Sequence, residues 1–392
     1  MSEAQSKPKA VEMVVSKGAA SEGRTKYRAL TTGDMPRDFS ISLDNYRKGG
    51  TDAYLGQAPE HASRQALPGF EATYVNIVDY IIRITHRIWE EKDVGYIYDT
   101  YASDCMVYDD FGLTSGRDRV VAHTVGSINA FPDIRIIADE CIWAGSPAAA
   151  FHSSHRSQIF GTNTGFSQYG APTGKKVQFW CMANCVMQDN EIFYEHVVYD
   201  FTSLVQQLGY DVTEMARRFG RANVGELPKD FLASEPSRSK GQAKPERMPL
   251  STQIGDDPEQ FVRGALHNMW NRRDFSIMDR VYDAGVVTQG TGGRTFHGVG
   301  QLRSFVMSQL AMFPDALHSI DDLYWMGNPK DGFLVAIRWS LDGTHRGNGR
   351  YGEPTGRETN LWGITHWVIE NNVVTKEWTT FNEFGVLMQL NR

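Results

Sequence analysis

The chain has 392 residues, 41% of them hydrophobic, and a formal net charge of −7. A length beyond roughly 250–300 residues exceeds what one hydrophobic core can serve, so two domains are the default. The acidic balance, with Lys and Arg scattered rather than striped, argues against a nucleic-acid surface, and no run approaches the ~20 apolar residues of a membrane helix.

Residues 1–68 are polar and rich in Gly, Ser, Lys and Arg, which predicts an N-terminal arm, partly disordered. Tyr27, Phe39, Ile41, Leu43, Tyr46, Tyr54 and Leu55 are more apolar than a solvated linker requires, so part of the arm is expected to wrap the body. The first residues, Met1 to Lys7, lack the apolar stretch of a secretory signal and read as the start of a cytoplasmic protein. From Gly69 a helix is expected, with Tyr74, Ile77, Val78, Ile81, Ile82, Thr85, Ile88 and Trp89 at i, i+3, i+4 spacing as one apolar stripe. A short helical segment with Tyr96, Ile97 and Tyr101 follows. Next come a strand over Cys105–Asp110, a helix from about Asp118 to Asn129, and strands over 134–144, 149–160, 176–188 and 191–199. Asp189-Asn190 between the last two is a two-residue hairpin signal.

Asp211–Phe219 reads as a trailing helix, and 220–257, with Pro228, Pro236, Pro245 and Pro249, as a long linker. The pattern then returns: a helix over Pro258–Trp270, strands over Leu317–Gly327, Gly332–Leu341 and Arg357–Glu370, and Asn371-Asn372 at the hairpin. Phe131-Pro132-Asp133 recurs as Phe313-Pro314-Asp315, and Pro172-Thr173-Gly174 as Pro354-Thr355-Gly356, both at an offset of 182 residues. The same offset carries Trp143 to Trp325, Arg156 to Arg338, Trp180 to Trp362 and Glu195 to Glu377; upstream it becomes 181, with Trp89 over Trp270 and Tyr101 over Tyr282. A long-period repeat decides how many cores a chain must build, and here there are two. The domains expected are therefore an arm at 1–68, copy one at 69–219, a linker at 220–257 and copy two at 258–392. Helices first and a mostly antiparallel, curved sheet after them make each copy an α+β domain able to cup a ligand.

The four cysteines, Cys105, Cys141, Cys181 and Cys185, all lie in copy one, at spacings that match neither a zinc knuckle nor a CxxC redox pair. Cys181 and Cys185 share a strand face at i, i+4 and read as small buried hydrophobes.

In copy one the motifs Tyr101-Ala102-x-Asp104, Gly116-Arg117, Phe131-Pro132-Asp133, Gly161-Thr162-Asn163-x-Gly165, Pro172-Thr173-Gly174-Lys175, Asp200 and Gln207-Leu208-Gly209 resemble the SnoaL-like polyketide cyclase family. That family belongs to the nuclear-transport-factor-2-like superfamily of cone-shaped α+β domains. In copy two the resemblance rests on Phe313-Pro314-Asp315, Gly343-Thr344-His345-x-Gly347, Pro354-Thr355-Gly356-Arg357, Glu377-Trp378 and Gln389-Leu390. It covers about 70–210 and 258–392 and implies two tandem cone-shaped domains. The superfamily hosts cyclases, isomerases, epoxide hydrolases, lyases and binding modules, so the fold alone names no reaction. It also implies that Asp200 is an acid/base aspartate, and copy two has Asn382 in that place.

Subtracting copy two from copy one therefore picks the candidates for chemistry. Asp200 would shuttle a proton in an apolar pocket. His196, where copy two has Trp378, shares a strand face with it by period two. Tyr108-Asp109-Asp110 stands where copy two is uncharged, and a second carboxylate would let one acid stay neutral while another ionises. His155 has no histidine counterpart, whereas Arg156 recurs; His152 and His155 have opposite parity, which counts against a metal site between them. Asn184, over His366, is a candidate donor to a substrate oxygen. Trp89 and Trp180 are candidate aromatic walls, although Trp180, like Glu195, recurs in copy two, which favours packing the repeat. The catalytic set expected is Asp200, His196, His155 and Asp110, and the substrate-binding set Tyr108, Asp109, Asn184, Arg156, Trp180 and Trp89. The expected activity is a cofactor-independent lyase, isomerase or cyclase acting on a small hydrophobic carbonyl or aromatic compound in copy one. The alternatives are epoxide-type hydrolysis, with Arg156 and two carboxylates activating water, and a non-catalytic ligand-binding or scaffolding tandem. Neither nucleic acid nor membrane is expected as a partner; an internal pseudo-dimer is, with room for a homodimer.

Overall fold

The computed structural model describes residues 27–44, 51, 55–56, 63–222 and 245–392. Tyr46 and Tyr54 of the arm, and Pro228 and Pro236 of the linker, lie outside them. Helix α1 (Ile77–Trp89) begins eight residues after Gly69, because the Asn76 side chain caps it by accepting the Asp79 N–H at 2.8 Å. Its β-branched stripe is a poor helix former in isolation but is buried almost throughout, and each such side chain contributes about 1.5–3 kcal/mol when fully buried.

Copy one continues with α2 (Ile97–Thr100), β2 (Tyr101–Asp109), β3 (Gly112–Ser115) and α3 (Arg117–Ala130). Strands β4 (Arg135–Ser146), β5 (Ala150–Thr162), β6 (Lys176–Gln188) and β7 (Glu191–Tyr199) follow, then α4 (Phe201–Leu208) and α5 (Val212–Ala222). Together with β1 (Leu43–Asp44) from the arm they form a seven-stranded sheet in the order β1-β4-β5-β6-β7-β2-β3. Copy two has α6 (Glu259–Leu266), which runs on as a π-helical turn to Asn271, then α7 (Met278–Val281), β8 (Tyr282–Gly290), β9 (Arg294–His297) and α8 (Gly298–Met312). Strands β10 (Leu317–Asn328), β11 (Gly332–Thr344), β12 (Glu358–Glu370) and β13 (Val373–Phe381) and helix α9 (Glu383–Leu390) complete it. Its six strands run β10-β11-β12-β13-β8-β9. All neighbours are antiparallel except β2 with β7 and β8 with β13, so both copies are α+β domains of one topology. The hairpin signals hold: Asp189 and Asn190 have φ of 51° and 69°, Asn371 and Asn372 of 53° and 66°.

The two sheets pack face to face, with Met182 and Val198 against Trp362 and Ile364. Helix α9 crosses over, placing Phe384, Leu387 and Met388 in the apolar cluster of copy one. The arm straps both halves. Trp143 Nε1 donates to the Ile41 carbonyl at 2.9 Å in copy one, and the Gly327 N–H of copy two donates to the Pro36 carbonyl at 2.9 Å. Among the described residues no helix is long and apolar enough to cross a membrane.

What separates the copies is how the cup of each sheet is filled. Copy one encloses a cavity of about 1110 Å³, whereas the equivalent space in copy two is about 50 Å³. The difference traces to large side chains replaced by smaller ones at matching positions: Trp339 by Ser157, Trp367 by Cys185, Phe305 by His123 and Met312 by Ala130. Helix α8 accordingly buries six residues, including Leu302, Val306 and Met312, while α3 buries only Thr124 and Ala130. Trp339 fits because its cross-strand neighbour is Gly363, where a Cβ would lie 2.8 Å from Trp339 Cζ2; copy one has Cys181 there. The double substitution Ser157→Trp with Cys181→Gly should therefore close the copy-one cavity as copy two is closed. A hydrophobic fluorescent probe should lose binding while the melting temperature holds or rises; undiminished binding would refute this account of the cavity.

Candidate functional site

Strand alternation divides the candidate residues between two interiors. On β5, β6 and β7 the odd-numbered side chains, among them His155, Ser157, Cys181, Cys185, Glu195 and Tyr199, line the copy-one cavity. In the middle of the strands the even-numbered ones, such as Arg156, Met182, Asn184, His196 and Val198, face copy two, while toward the ends Phe160 and Ile192 also reach the cavity. Of the ten residues singled out above, only His155, Asp109 and Trp89 line the cavity.

The other seven do not line the cavity and sit at the junction of the copies. Asp200 caps α4, accepting the Ser203 N–H at 3.1 Å and Oγ–H at 2.5 Å. It also accepts the Gly292 N–H at 2.9 Å and the Gly293 N–H at 3.2 Å from the β8–β9 turn of copy two. Burial raises its carboxyl, and these four donors oppose the rise. It is a clamp between copies, 1% exposed, with its oxygens committed. His196 stacks on Tyr108 at 4.7 Å between centroids, stands edge-on to Trp362 and lies 3.5 Å from Arg338 Nη1. Burial, and then the Arg338 charge, push it well below its ordinary value, so it is a neutral packing ring. Asp110 meets the start of α9, where the Gly385 N–H approaches at 3.4 Å; burial and then the neighbouring Asp109 drive its carboxyl well up. Arg156 is 1% exposed, 3.5 Å from Asp139, and lies over the Trp378 ring at 3.8 Å and the Trp180 ring at 5.4 Å. Asn184 accepts the Ser154 hydroxyl proton at 2.6 Å.

That last contact belongs to a relay across the junction. Ser154 Oγ lies 2.7 Å from His366 Nε2, and His366 Nδ1 lies 2.8 Å from Glu140 Oε1. Burial pushes Glu140 upward, but the His366 hydrogen bond and the Arg156 charge outweigh it and hold it below the ordinary value. The order of groups is that of a serine nucleophile with its base, yet Ser154 and His366 are both fully buried and neither cavity reaches them. The relay satisfies buried polar groups and fixes the pairing of the sheets.

The titratable groups that line the cavity include Asp109, Glu195, His155, Tyr101 and Tyr199. Glu195 is 9% exposed, and burial raises its carboxyl to about 7. Its copy-two twin, Glu377, is held by Tyr282 Oη at 2.9 Å, Trp367 Nε1 at 2.8 Å and Thr379 Oγ1 at 3.0 Å. In copy one Cys185 replaces that tryptophan and Val197 that threonine. Tyr101 Oη, donating at 3.0 Å, and the Cys185 thiol remain beside a carboxyl turned to open space. Sequence comparison passed Glu195 over because it recurs; what changed is the shell around it. Counting across the hairpin from Cys185 could not have placed it on the cavity face, because the β6–β7 register shifts by one residue at Val186/Met187 and brings Glu195, rather than Tyr194, opposite Cys185.

Asp109 ends β2, where its Oδ1 accepts the Phe111 N–H at 2.8 Å, and burial raises it to about 6. Val107 pairs with Glu195 in the parallel register, so Asp109 stands two residues along the neighbouring strand, roughly 8 Å from Glu195 at the backbone. His155 is lowered to about 4 by burial, so it is a neutral imidazole at pH 7, and its Nδ1 has no partner among the described residues. Burial pushes Tyr199 well above the ordinary phenol value, keeping it a donor. Two carboxyl groups with separated affinities, a neutral imidazole and phenols can transfer protons to and from an apolar substrate.

Several solved structures and one family model are similar to parts of the chain. A SnoaL-like protein from Jannaschia sp. CCS1 superposes at 12% identity over 34% of this chain and 92% of its own, with a TM-score of 0.31. IdmH from Streptomyces antibioticus does so at 20% identity over 35% and 99%, TM-score 0.31. TsrD from Streptomyces laurentii does so at 17% identity over 35% and 98%, TM-score 0.31. No curated protein matches the chain. The family model for SnoaL-like polyketide cyclases matches twice, over residues 80–208 and 260–390, and the chain therefore belongs to that family as a tandem of two such domains.

Proposed function

We propose that copy one is a cofactor-independent cyclase or isomerase that works through an enolate, with Asp109 as base and Glu195 as acid, and that copy two is its packed, non-catalytic support. The observation that carries this reading is the pair of carboxyl groups raised to about 6 and about 7 in a cavity of about 1110 Å³. Between those values Asp109 is ionised while Glu195 keeps its proton, the division of roles that acid/base chemistry at a carbonyl requires. Asp109 takes a proton from the carbon beside the substrate carbonyl, and protonated Glu195, oriented by Tyr101, hydrogen-bonds the carbonyl oxygen as charge moves onto it. The carbanion then closes on a second carbonyl of the same molecule, and the new alkoxide takes the proton back from Asp109; reprotonation at another carbon would be isomerisation. His155 supplies a neutral imidazole, one ring nitrogen donating and the other accepting, and takes no part in the proton transfer itself. The hydrolytic alternative placed Arg156 beside two carboxylates, and Arg156 lies at the junction, away from the cavity.

Carbon-proton exchange tests this directly. Incubated in deuterated buffer with aromatic β-dicarbonyl probes, the protein should wash deuterium into the carbon between the carbonyls, followed by NMR. Asp109→Asn and Glu195→Gln should each slow exchange by about 10²–10⁴-fold. Exchange indifferent to both variants would remove the mechanism.

The rate should trace a narrow bell, rising as Asp109 ionises near 6 and falling as Glu195 loses its proton near 7. The same shift has a stability consequence. The folded state holds the Glu195 proton up to about 7, against an ordinary value of 4.5, so native stability falls as pH climbs through that window. Glu195→Gln lacks this fall and should be the more stable protein at pH 8, by an amount of the order of 3 kcal/mol, with the gap closing by pH 4.5 in denaturant titrations.

Asp200→Ala should behave oppositely. Loss of the cap and of two inter-copy hydrogen bonds should cost about 2 kcal/mol in denaturant unfolding while exchange activity of the folded protein persists. Abolished exchange in a folded Asp200→Ala protein would restore Asp200 to the chemistry.

A further inference from the structure

The cavity opens past one side of α3, and that side is charged in copy one alone. Arg119, His123 and Ser127 follow each other at i, i+4 and so share a helix face. All three line the cavity, and Arg119 and His123 also reach solvent. Thr114 of β3 lies beside them, its Oγ1 3.5 Å from His123 Nδ1. Copy two has Gln301, Phe305 and Gln309 at these positions. Gln301 Oε1 turns back to accept the His297 N–H at 2.9 Å, and Phe305 fills the space.

The charges next to Arg119 are occupied elsewhere. Arg117 Nη1 donates to the carbonyls of Tyr98 and Tyr101 at 2.9 and 3.3 Å, and Asp118 accepts the Tyr98 hydroxyl proton at 2.9 Å. Among the described residues no carboxylate forms an ion pair with Arg119. A guanidinium left unneutralised in a chain of net charge −7, at the rim of a cavity with apolar walls, is a planar fork suited to an oxyanion.

We propose that Arg119, with Thr114 and His123 beside it, is a subsite for an oxyanion that the substrate carries at the end remote from its reacting carbon. The inference rests on the catalytic reading of the copy-one cavity. Strand register sets the span. Glu195 pairs with Val107, and Val107 with Thr114, so the three stand abreast on β7, β2 and β3. Two strand spacings separate the acid from the subsite, roughly 10 Å at the backbone. The substrate class is then an amphiphile: an apolar aromatic or conjugated body about two or three fused rings long, with a carbonyl at the buried end and a carboxylate or comparable oxyanion at the mouth.

Anthracene-2-carboxylate and its methyl ester are matched fluorescent probes of this idea, since they share the ring body and the ester replaces the charge at one end by a methyl group. The full-length protein should bind the carboxylate roughly tenfold more tightly than the ester, the margin of a charge-assisted hydrogen bond, and that margin should shrink with added salt. Arg119→Gln, which installs the copy-two residue, should bind both probes alike at the affinity of the ester, whereas Glu195→Gln should keep the preference. Equal binding of the two probes by the unaltered protein, or equal weakening of both by Arg119→Gln, would overturn the subsite. A preference for the carboxylate in a protein that shows no carbon-proton exchange would instead sustain the subsite and overturn the catalytic reading.

Discussion

The constraint on which everything else depends is that the central strands of both sheets are buried on both faces. One face must pack against the other copy and the other must line a cup, and period-two alternation divides the central residues of β5, β6 and β7 between these tasks. The consequence is visible within single dipeptides. His155 and Arg156 are neighbours in sequence, yet one faces the cavity and the other is stacked on a tryptophan of the opposite copy. Glu195 and His196 part in the same way. A sheet with one wet face would have shown its orientation by polar and apolar alternation. Here both faces carry mixtures of polar and apolar groups, so hydropathy gives no sign of which side is which.

That explains why some of the molecule was legible and some was not. The repeat, the element order and the two hairpins follow from local signals, such as Asp189-Asn190 and Asn371-Asn372, which act over two residues and do not depend on what lies across the sheet. The arm followed in part: Ile41 and Leu43 do bind the body, through Trp143 and Cys141. The site did not, because the difference between copies marks two things at once. Asp200 and His196 are unlike Asn382 and Trp378 because the junction is asymmetric, and His155 and Asp109 are unlike Ile337 and Gly290 because the cup is empty. Residue-by-residue subtraction cannot tell these apart, and it overlooks Glu195, whose identity is constant while its donors have been withdrawn.

The cup itself is a departure from dense packing. Interiors are filled to near crystalline density, and side chains removed from a core are felt at several kilocalories per mole each. Copy one has given up two tryptophans, a phenylalanine and a methionine relative to its twin, and it keeps two carboxyl groups in an apolar wall where their charged forms are disfavoured. Copy two is the conservative partner, with Trp339, Trp367 and Phe305 in place and Glu377 fully donated to. Covalent attachment of a dense domain to a hollow one, reinforced by α9 and the arm, lets the hollow one keep features that destabilise it.

The relay of Ser154, His366 and Glu140 has a meaning for ancestry as well as for packing. In a dimer of identical chains each contact is written twice, because the twofold axis copies every residue pair to the far side of the interface. The image of this relay would join Ala336, Asn184 and Asp322, which lack the hydroxyl and the imidazole needed to form it. The network exists once, off the axis, and no single sequence present in two copies could build it alone. Joining the halves in one chain released the interface from self-complementarity: a residue good on one side no longer has to be tolerable on the other.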